Sequence, residues 1–398
     1  MHVLVLNEYF PPDTSATAKN AALVVAALAE RHRVTVLCGR PSYDPTERHR
    51  PYLLRREVDG NVTIERVGST AFPRFRMKRR LSNYLTYLGL ALPRALTIRS
   101  DVVLAMTDPP IAGIAGSFVA RLSGRPFVYN LRDMYPDMAL GGDIIRPGTW
   151  VERWEKLHRS AMRGAARVIV LGEDMRERII SKGVDPARIT ISRDAVPFPE
   201  TAPATDHPVV REIRGQFRFV LIHAGNLGFY GAWRTLIQAA KLLESDGVGL
   251  VFVGEGAQKA KVESMARDCG NVRFLPFRPA DEVPQVMAAG DLHVVTVKRG
   301  LEGVVVPSKV YTILAAGRPL LAVATDKTEV ARFAARDGCG IAIDPDDPAA
   351  VAAAVRGVVG DSERLSSMSR RARELAQTYG RVNQLETFVE AIEEACRG

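Results

Sequence analysis

Short apolar runs alternate with helical segments along the first half of the chain, and this alternation constrains the fold more than any other feature. The predicted strands are His2–Leu6, Val34–Leu37, Val62–Val67, Val102–Met106, Phe127–Asn130 and Arg167–Leu171. The predicted helices between them are Ala18–Arg31, Pro110–Leu122 and Trp150–Arg163. Apolar strands separated by helices indicate a parallel sheet that is buried on both faces.

The same alternation starts again after Arg193–Pro208, a segment rich in proline and small polar residues that is typical of an interdomain linker. The predicted strands beyond it are Phe219–His223, Leu250–Val253, Val272–Leu275, Leu292–Val295 and Leu320–Val323. The predicted helices are Trp233–Leu243, Pro307–Ala316 and Ala349–Val359, followed by a helical tail from Leu365 to Cys396. The pattern predicts an α/β protein with two doubly wound, Rossmann-like domains, 1–196 and 197–378. We expect them to face each other across a cleft, with ligands at the carboxyl ends of the strands.

Composition narrows the environment and the partners. The four cysteines are scattered and form no CxxC pair, which argues for a reducing compartment and against structural zinc. The net charge of +9 favours acidic partners such as anionic lipid or nucleotide phosphate. Nucleic acid is not expected as a partner, because no recognised binding motif is present. The amino terminus enters a strand directly, so no secretory signal is predicted.

A basic segment leads into an apolar one in the first half. Arg74, Arg76, Lys78, Arg79 and Arg80 precede the uncharged run from Leu81 to Pro93, which is shorter than a membrane span. Such a helix suits the surface of an anionic membrane. The alternative is a helix that packs on its own domain with its arginines in water.

The run Glu302–Lys309, EGVVVPSK, is the most informative motif. It predicts a polar loop that turns into a helix at Pro307, because proline suits the first helical turn. Ser308 and Lys309 would then stand at the positive end of the helix. Backbone N–H groups, a hydroxyl and an ammonium suit an anion such as a diphosphate there. The alternative is an ordinary capped helix.

Three more turns of the second half are candidates for the same site. Gly225–Gly228 and Gly254–Gly256 each follow a predicted strand. Their glycines would let the backbone approach a phosphate closely, although a simple tight turn explains them equally. Lys298 and Arg299 would neutralise diphosphate charge. Their alternative role is a solvated surface pair.

In the first half, two loops point to the cleft. Tyr9–Lys19 lacks the GxGxxG pattern of a dinucleotide site, but its small residues Ser15 and Ala16 allow a ligand to approach. Arg132–Asp137, RDMYPD, lies at the end of a predicted strand, where active-site residues are expected. We expect Asp133 to face the cleft, and the alternative is an Arg–Asp pair that braces a loop.

One acidic run has a simpler explanation than a metal site. Asp344–Asp347, DPDD, precedes Pro348 and a predicted helix, so helix capping explains it better than metal binding. We recognise no metal site, no Ser-His-Asp order and no Walker loop in the sequence.

Four segments together resemble a known family: Tyr9–Pro12, Arg132–Asp137, Asn271–Pro276 and Leu301–Lys309. Through them the chain resembles, nearly end to end, the retaining glycosyltransferases of family 4, which have the two-domain GT-B fold. It is most similar to the bacterial branch that builds O-antigen, capsule and colanic-acid polysaccharides. The resemblance implies that the first domain binds the acceptor and the second binds a nucleotide-sugar. It also implies that a final helix, 379–398, crosses back to the first domain, and that no metal or other cofactor is required.

The chain departs from the family pattern at three places. Matching through Pro-Ser-Lys puts Val304 and Thr312 where the family often has an E-x7-E pair, and Glu302 lies two residues earlier. Asn226 and Tyr230 stand in a loop where many relatives carry Arg and Lys. The histidine that relatives often have near the Arg132–Asp133 turn is absent.

The predicted site follows from the motifs and the resemblance. The predicted catalytic residues are Asp133, Glu302 and Lys309. The predicted donor-binding residues are Gly225, Asn226, Gly228, Gly254, Glu255, Gly256, Phe277, Lys298, Arg299, Gly303, Pro307, Ser308 and Thr312. The predicted acceptor-side residues are Ser15, Ala16, Arg132 and Asp137.

The resemblance implies transfer of a hexosyl or N-acetylhexosaminyl group from a nucleotide-sugar, expected to be a UDP-sugar, to an acceptor hydroxyl with retention of configuration. Stabilisation of the leaving diphosphate is expected to be the largest catalytic effect. A polyprenyl-linked glycan at the cytoplasmic face of the plasma membrane is the expected acceptor, and a soluble natural product is the alternative. Two other functions stay open: a UDP-sugar 2-epimerase and a non-catalytic nucleotide-sugar-binding protein.

Overall fold

The computed structural model describes residues 1–42, 52–72, 77–194, 196 and 206–397. Arg74, Arg76, the side chain of Lys78 and most of the predicted linker lie outside this description. In the part that is described, none of the helices combines the length and the hydropathy that a membrane span requires.

The first sheet is mostly parallel and has eight strands in the described residues. The strands are β1 (His2–Leu6), β2 (Arg33–Cys38), β3 (Leu54–Asp59), β4 (Val62–Val67), β5 (Val102–Ala105), β6 (Phe127–Asn130), β7 (Arg167–Val170) and β8 (Ile189–Ile191). The helices are α1 (Ala16–Ala29), α2 (Met77–Thr97), α3 (Ala112–Ser123), α4 (Asp137–Gly141), α5 (Thr149–Arg163) and α6 (Glu173–Ser181). The spatial order is β3-β4-β2-β1-β5-β6-β7-β8, and β3 runs antiparallel to β4.

The strands of the second sheet are β9 (Phe219–Ala224), β10 (Val248–Val253), β11 (Val272–Leu275), β12 (Leu292–Thr296), β13 (Leu320–Val323) and β14 (Gly340–Ile343). This sheet is parallel and has the spatial order β11-β10-β9-β12-β13-β14. Its helices are α7 (Pro208–Arg214), α8 (Trp233–Leu242), α9 (Lys259–Met265), α10 (Val283–Ala289), α11 (Lys309–Ala315), α12 (Glu329–Ala331), α13 (Pro348–Arg356) and α14 (Ser362–Thr378). The described residues also contain short 3-10 turns at Pro186–Arg188, Glu244–Asp246 and Ala280–Glu282 and a π-helical turn at Arg332–Arg336.

The last helix, α15 (Arg381–Arg397), packs on the first sheet. Phe388, Val389 and Ile392 are buried in the same core as the strands β1 and β2. The Ser192 hydroxyl donates a hydrogen bond of 2.8 Å to the carbonyl of Gln384. The carboxyl end of the chain therefore lies against the first domain.

The predicted two-sheet α/β architecture is confirmed, and the differences are local. The strands β3, β8 and β14 were not predicted, because they are short or polar edge strands. The predicted tail helix is two helices, α14 and α15, separated at Gly380. The predicted start of a helix at Pro307 is wrong by two residues, because α11 begins at Lys309. The N–H groups of Val310 and Tyr311 already donate to the carbonyls of Pro307 and Ser308.

Candidate active site

A cavity of about 680 Å³ lies between the carboxyl ends of the two sheets, and we call it the main cleft. Residues that follow strands in both domains line it. Of the predicted site residues, Ala16, Asp133, Gly225, Asn226, Gly228, Pro307, Ser308, Lys309 and Thr312 are part of this lining. The structure therefore brings residues from distant parts of the sequence to one cavity.

Lys309 is the cation of the second domain in this cleft. Val310 and Leu314 are buried in the core of the domain, while Lys309 and Thr312 of the same helix line the main cleft. The Nζ atom of Lys309 lies 2.8 Å from Nε2 of His223, at the end of β9. Burial lowers the pKa of Lys309 to about 7. The ammonium is therefore poorly compensated in the free protein, and a bound anion would stabilise it.

His223 is a neutral partner for this lysine. Burial, and then the charge of Lys309, hold the pKa of His223 well below its ordinary value. Its ring contacts Trp233 edge-on, with centroids 4.8 Å apart. Trp233 in turn donates from Nε1 to the carbonyl of Gly228 at 2.8 Å. Lys309 is thus connected to the loop after β9 through His223 and Trp233.

Glycines in the loops after β9 and β10 allow these neighbouring loops to approach each other closely. Gly225 has φ +123°, and a Cβ on it would lie 3.5 Å from Nζ of Lys309. A Cβ on Gly254 would lie 2.2 Å from the carbonyl oxygen of Gly225, and one on Gly256 would lie 2.4 Å from that of Leu227. The absence of a side chain at Gly254 and Gly256 therefore lets the loop after β10 pack against the loop after β9, which lines the main cleft.

A smaller cavity of about 170 Å³ opens beside the main cleft. It shares Gly225, Lys309 and Thr312 with the main cleft, and its other walls are mostly apolar. Phe277 lines it with 69% of its surface exposed. An exposed aromatic ring beside a cation and an apolar cavity suits a planar heterocycle next to a phosphate.

Asp133 brings the first domain to the main cleft. Burial, and then the neighbouring Asp108 carboxylate, raise the pKa of Asp133 to about 6. Its backbone forms an antiparallel bridge with Val305, and the N–H of Met134 donates to the carbonyl of Val304 at 3.1 Å. The loop that precedes Lys309 is thereby fixed to the loop that carries Asp133.

Glu302 lies in this interdomain contact, not in the lining of either cavity among the described residues. Its carboxylate accepts hydrogen bonds from Gly300 N–H at 3.1 Å and from the Thr325 hydroxyl at 2.9 Å. Its carbonyl accepts from Arg178 of the first domain at 2.9 Å. These contacts hold the loop in place, and the catalytic role of Glu302 stays a prediction.

Gly303 is also part of the interdomain contact. It has φ +65°, and a Cβ on it would lie 2.2 Å from the carbonyl oxygen of Asp174. Gly303 therefore allows a close approach between the two domains, and its donor contact stays a prediction.

Two other predicted residues, Arg132 and Asp137, do not line either cavity in the described residues and form ion pairs. Arg132 pairs with Asp194, so the predicted bracing pair exists with a different carboxylate. Asp137 pairs with Lys182 at 2.9 Å and Arg178 at 2.6 Å. These side chains support the Asp133 turn from behind.

The remaining predicted residues have structural partners near the surface. Ser15 caps α1 through a hydrogen bond from Ala18 N–H. Arg299 pairs with Asp344 and Asp346, and Glu255 pairs with Lys259. Lys298 is not among the described residues that line the main cleft. Its backbone N–H donates a hydrogen bond to the Tyr230 carbonyl. Asp347 caps α13, as predicted for this acidic run.

Sequence reasoning missed several residues that line the main cleft. They are Lys19, Asn20 and Leu23 of α1, Met138, Asp194, Val196, Gly231, Trp233, Thr296, Val305, Val306 and Arg381. His223 was noted only as the end of a strand, and Tyr230 only as a departure from the family pattern. Lys19 and Asn20 follow the predicted Ala16 within one helical turn, so helical spacing could have indicated them. Arg381 could not be found in this way, because α15 reaches the cleft only through tertiary packing.

The described residues contain no group of three or more His, Cys, Asp or Glu side chains placed to hold a metal ion. The charged groups of the cleft are instead Lys309, Asp133, Asp194, Lys19 and Arg381. This arrangement can bind a phosphorylated ligand across the two domains and can orient a hydroxyl beside Asp133.

Two family models match the chain, one in each half. A model described as a glycosyl transferase 4-like domain matches residues 16–193, which include α1 and Asp133. A model described as glycosyl transferases group 1 matches residues 218–361, which include Gly225 and Lys309. The two doubly wound domains and these matches define a glycosyltransferase. The chain belongs to the family 4-like glycosyltransferases with the GT-B fold.

Relatives of known names agree with this assignment. The probable glycosyltransferase WbjE of Pseudomonas aeruginosa is 26% identical over 337 residues, which cover 81% of this chain and 82% of WbjE. The putative colanic acid biosynthesis glycosyl transferase WcaI of Escherichia coli (strain K12) is 24% identical, with 98% of this chain and 100% of WcaI covered. The crystal structure of Anabaena HepE in complex with UDP-glucose has the same fold, with a TM-score of 0.70 at 18% identity and 99% of both chains covered.

Proposed function

We propose that this chain is a retaining glycosyltransferase. It transfers a hexosyl or N-acetylhexosaminyl group from a UDP-sugar to a hydroxyl of a polyprenyl-linked glycan, with no metal or other cofactor. The names of WbjE and WcaI support a role in building a cell-surface polysaccharide. The UDP-glucose complex of the similarly folded HepE supports a UDP-sugar as the donor.

The observation that carries this proposal is the position of Lys309. Its ammonium lies over Gly225, where the main cleft and the smaller apolar cavity meet. A nucleotide with its base beside Phe277 places its diphosphate at Lys309 and its sugar in the main cleft. The sugar then lies between the second domain and Asp133.

The proposed reaction exchanges one bond at the anomeric carbon of the donor. The bond from this carbon to the diphosphate oxygen breaks, and a bond to the acceptor oxygen forms on the same face. The acceptor proton moves to the departing phosphate oxygen. Lys309 stabilises the negative charge that grows on the diphosphate, and Asp133 orients the acceptor hydroxyl or the sugar.

A ligand panel tests the donor. We expect UDP and a UDP-sugar, but not ADP or GDP, to raise the melting temperature, because a ligand of the native state stabilises it. The shift is expected to be the same in excess EDTA. NMR of the transferred product tests retention, since the anomeric configuration must equal that of the donor. Conversion of the UDP-sugar to its 2-epimer, or binding without slow hydrolysis or transfer, would contradict the proposal.

The affinity for a UDP-sugar is expected to fall as the pH rises above 7. The pKa of Lys309 is about 7 in the free protein, and a bound diphosphate would raise it. Binding above pH 7 then requires uptake of one proton, so Kd increases by up to about tenfold per pH unit. Calorimetry between pH 6 and 9 measures this slope. Lys309→Met is the matched control and should bind weakly with a flat profile, and a flat profile of the parent protein would exclude Lys309 as the titrating contact.

Phe277→Ala is expected to weaken donor binding about tenfold and to leave kcat nearly unchanged. The exposed ring can stack on the base, and stacking of this kind is worth about 1–3 kcal/mol. Steady-state kinetics with a varied UDP-sugar separates the two parameters. Phe277→Tyr is the control and should retain the KM of the parent protein. A fall in kcat with an unchanged KM would place the base elsewhere.

A further inference from the structure

Two adjacent helices of the first domain expose apolar side chains on one face. In α2, Tyr87, Ala91 and Ala95 are buried, while a different side of the helix carries exposed leucines. The exposed apolar side chains of α2 and α3 are Leu81 (55%), Leu85 (59%), Leu96 (38%), Phe118 (52%) and Leu122 (59%). Because α2 packs beside α3, these exposed side chains lie on neighbouring helices at the outside of the domain, and we call them the apolar strip.

A basic groove runs next to this strip, between α3 and α5. Its volume is about 1270 Å³, larger than that of the main cleft, with which it shares no lining residue. The groove is lined by the cationic side chains Arg121, Arg125, Lys156, Arg159, Arg163 and Arg188. Glu152 and Glu155 are its acidic residues, and Glu155 pairs with Lys182 at 2.6 Å.

The strip and the groove together have the chemistry of an anionic bilayer surface. Apolar side chains enter the boundary between headgroups and acyl chains, while nearby lysines and arginines attract anionic lipid phosphates. Trp150 at the start of α5 is also exposed and stacks on Trp154, with ring centroids 5.9 Å apart. A rigidly supported tryptophan suits the same interfacial depth.

We propose that α2, α3 and α5 form a membrane-docking face, with the groove between α3 and α5 as a site for anionic lipid headgroups. The predicted membrane contact involved only the segment around α2, and the groove had no sequence motif. The positive charge of the groove favours an anionic bilayer over a second copy of the chain as the binding partner of this face. Two copies docked through this face would bring two basic grooves together, whereas an anionic bilayer compensates them.

The position of this face suits a lipid-linked acceptor, and that identity of the acceptor rests on the proposed function. Arg80 of α2 lies near enough to influence the charge of Asp133. Tyr135, two residues after Asp133, stacks on Trp154 with centroids 5.9 Å apart. The amino-terminal parts of α2 and α5, which carry Arg80 and Trp154, therefore border the acceptor side of the main cleft. The groove itself lies at the other edge of the sheet, at the amino ends of β6, β7 and β8. A glycan carried by a membrane lipid could reach Asp133 from the bilayer to which the face docks.

Vesicle flotation with the full chain tests this face. We expect binding to vesicles of phosphatidylcholine with phosphatidylglycerol, and little binding to phosphatidylcholine alone or at high salt. The double variant Arg121→Glu/Lys156→Glu and the double variant Phe118→Ser/Leu122→Ser should each lower the partition coefficient by roughly tenfold or more. The matched controls Lys261→Glu and Leu242→Ser change an exposed cation and an exposed apolar residue of the second domain, and they should bind like the parent.

The outcomes separate this inference from the proposed function. Binding of UDP by the four variants is expected to equal that of the parent, because none of these residues lines the main cleft. Equal binding to both kinds of vesicle, equal losses in the controls, or a concentration-dependent dimer without vesicle binding would overturn the docking face. If vesicles bind as expected but no UDP-sugar does, the proposed transfer fails and the docking face stands.

Discussion

Lys309→Ala is expected to lower kcat by roughly 10²–10³, the loss typical of removing one donor that stabilises developing charge. The diphosphate gains negative charge as the glycosidic bond to it breaks, and Lys309 is the cation that the second domain places at the meeting point of the two cavities. Its neutral partner His223 cannot replace it, because the pKa of His223 is held well below the ordinary value. Steady-state rates of transfer at saturating donor measure the effect.

Lys298→Ala is the matched control for Lys309→Ala. It removes a lysine that is close in sequence but does not line the main cleft, so near-parental kcat is expected. Lys309→Arg should not restore the rate, because a guanidinium is larger and differs in geometry from an ammonium. Near-parental turnover of a folded Lys309→Ala protein would remove Lys309 from the mechanism.

Stability distinguishes a catalytic lysine from a structural one. A lysine whose pKa is lowered to about 7 in the folded state destabilises that state below pH 7. This destabilisation fades as the pH rises toward the pKa of the unfolded chain, about 10.4. Lys309→Met, which keeps the volume, should therefore raise the melting temperature at pH 6 and raise it less at pH 9. A variant that is more stable and nearly inactive fits a cation kept for binding an anion.

The sequence predicted the features that depend on local patterns. Continuous apolar strands between helices were sufficient to place most of the two sheets, and Gly225, Asp133 and Lys309 all line the main cleft. The edge strand β3 was missed because its side chains face solvent and lack an apolar pattern, and β8 and β14 were missed because they have only three and four residues. The strand β3 has the sequence LRREVD with mostly exposed residues.

Roles that depend on contacts between the domains could not be read from the sequence. The motif EGVVVPSK suggested that Glu302, Gly303 and Lys309 bind one ligand. The structure divides it: Glu302 and Gly303 contact the first domain, and Lys309 faces the cleft. Nothing in the local sequence shows that Asp174 and Arg178 lie opposite this loop, since they are more than a hundred residues away.

Gly303→Ala is expected to lower turnover at least tenfold by separating the loop before Lys309 from the first domain. A methyl group at this position would lie 2.2 Å from the carbonyl oxygen of Asp174, and the backbone has φ +65°. The left-handed conformation alone costs about 1–2 kcal/mol for a residue with a Cβ. The contact with a backbone atom adds a clash that no side-chain rotation can relieve. The bridge between Asp133 and Val305 would then be displaced, and with it the distance from Asp133 to the donor sugar.

Gly300→Ala separates the clash from the backbone strain. Gly300 also has a positive φ, +87°, but a Cβ there would have no heavy atom within 4 Å. The two variants therefore share the strain, and only Gly303→Ala pushes the domains apart. We expect Gly300→Ala to keep most of the activity and both variants to bind UDP, because the nucleotide contacts belong to the second domain. Scattering in solution should show a more extended particle for Gly303→Ala alone. Equal losses of turnover in the two variants would mean that loop strain, not domain contact, controls the rate.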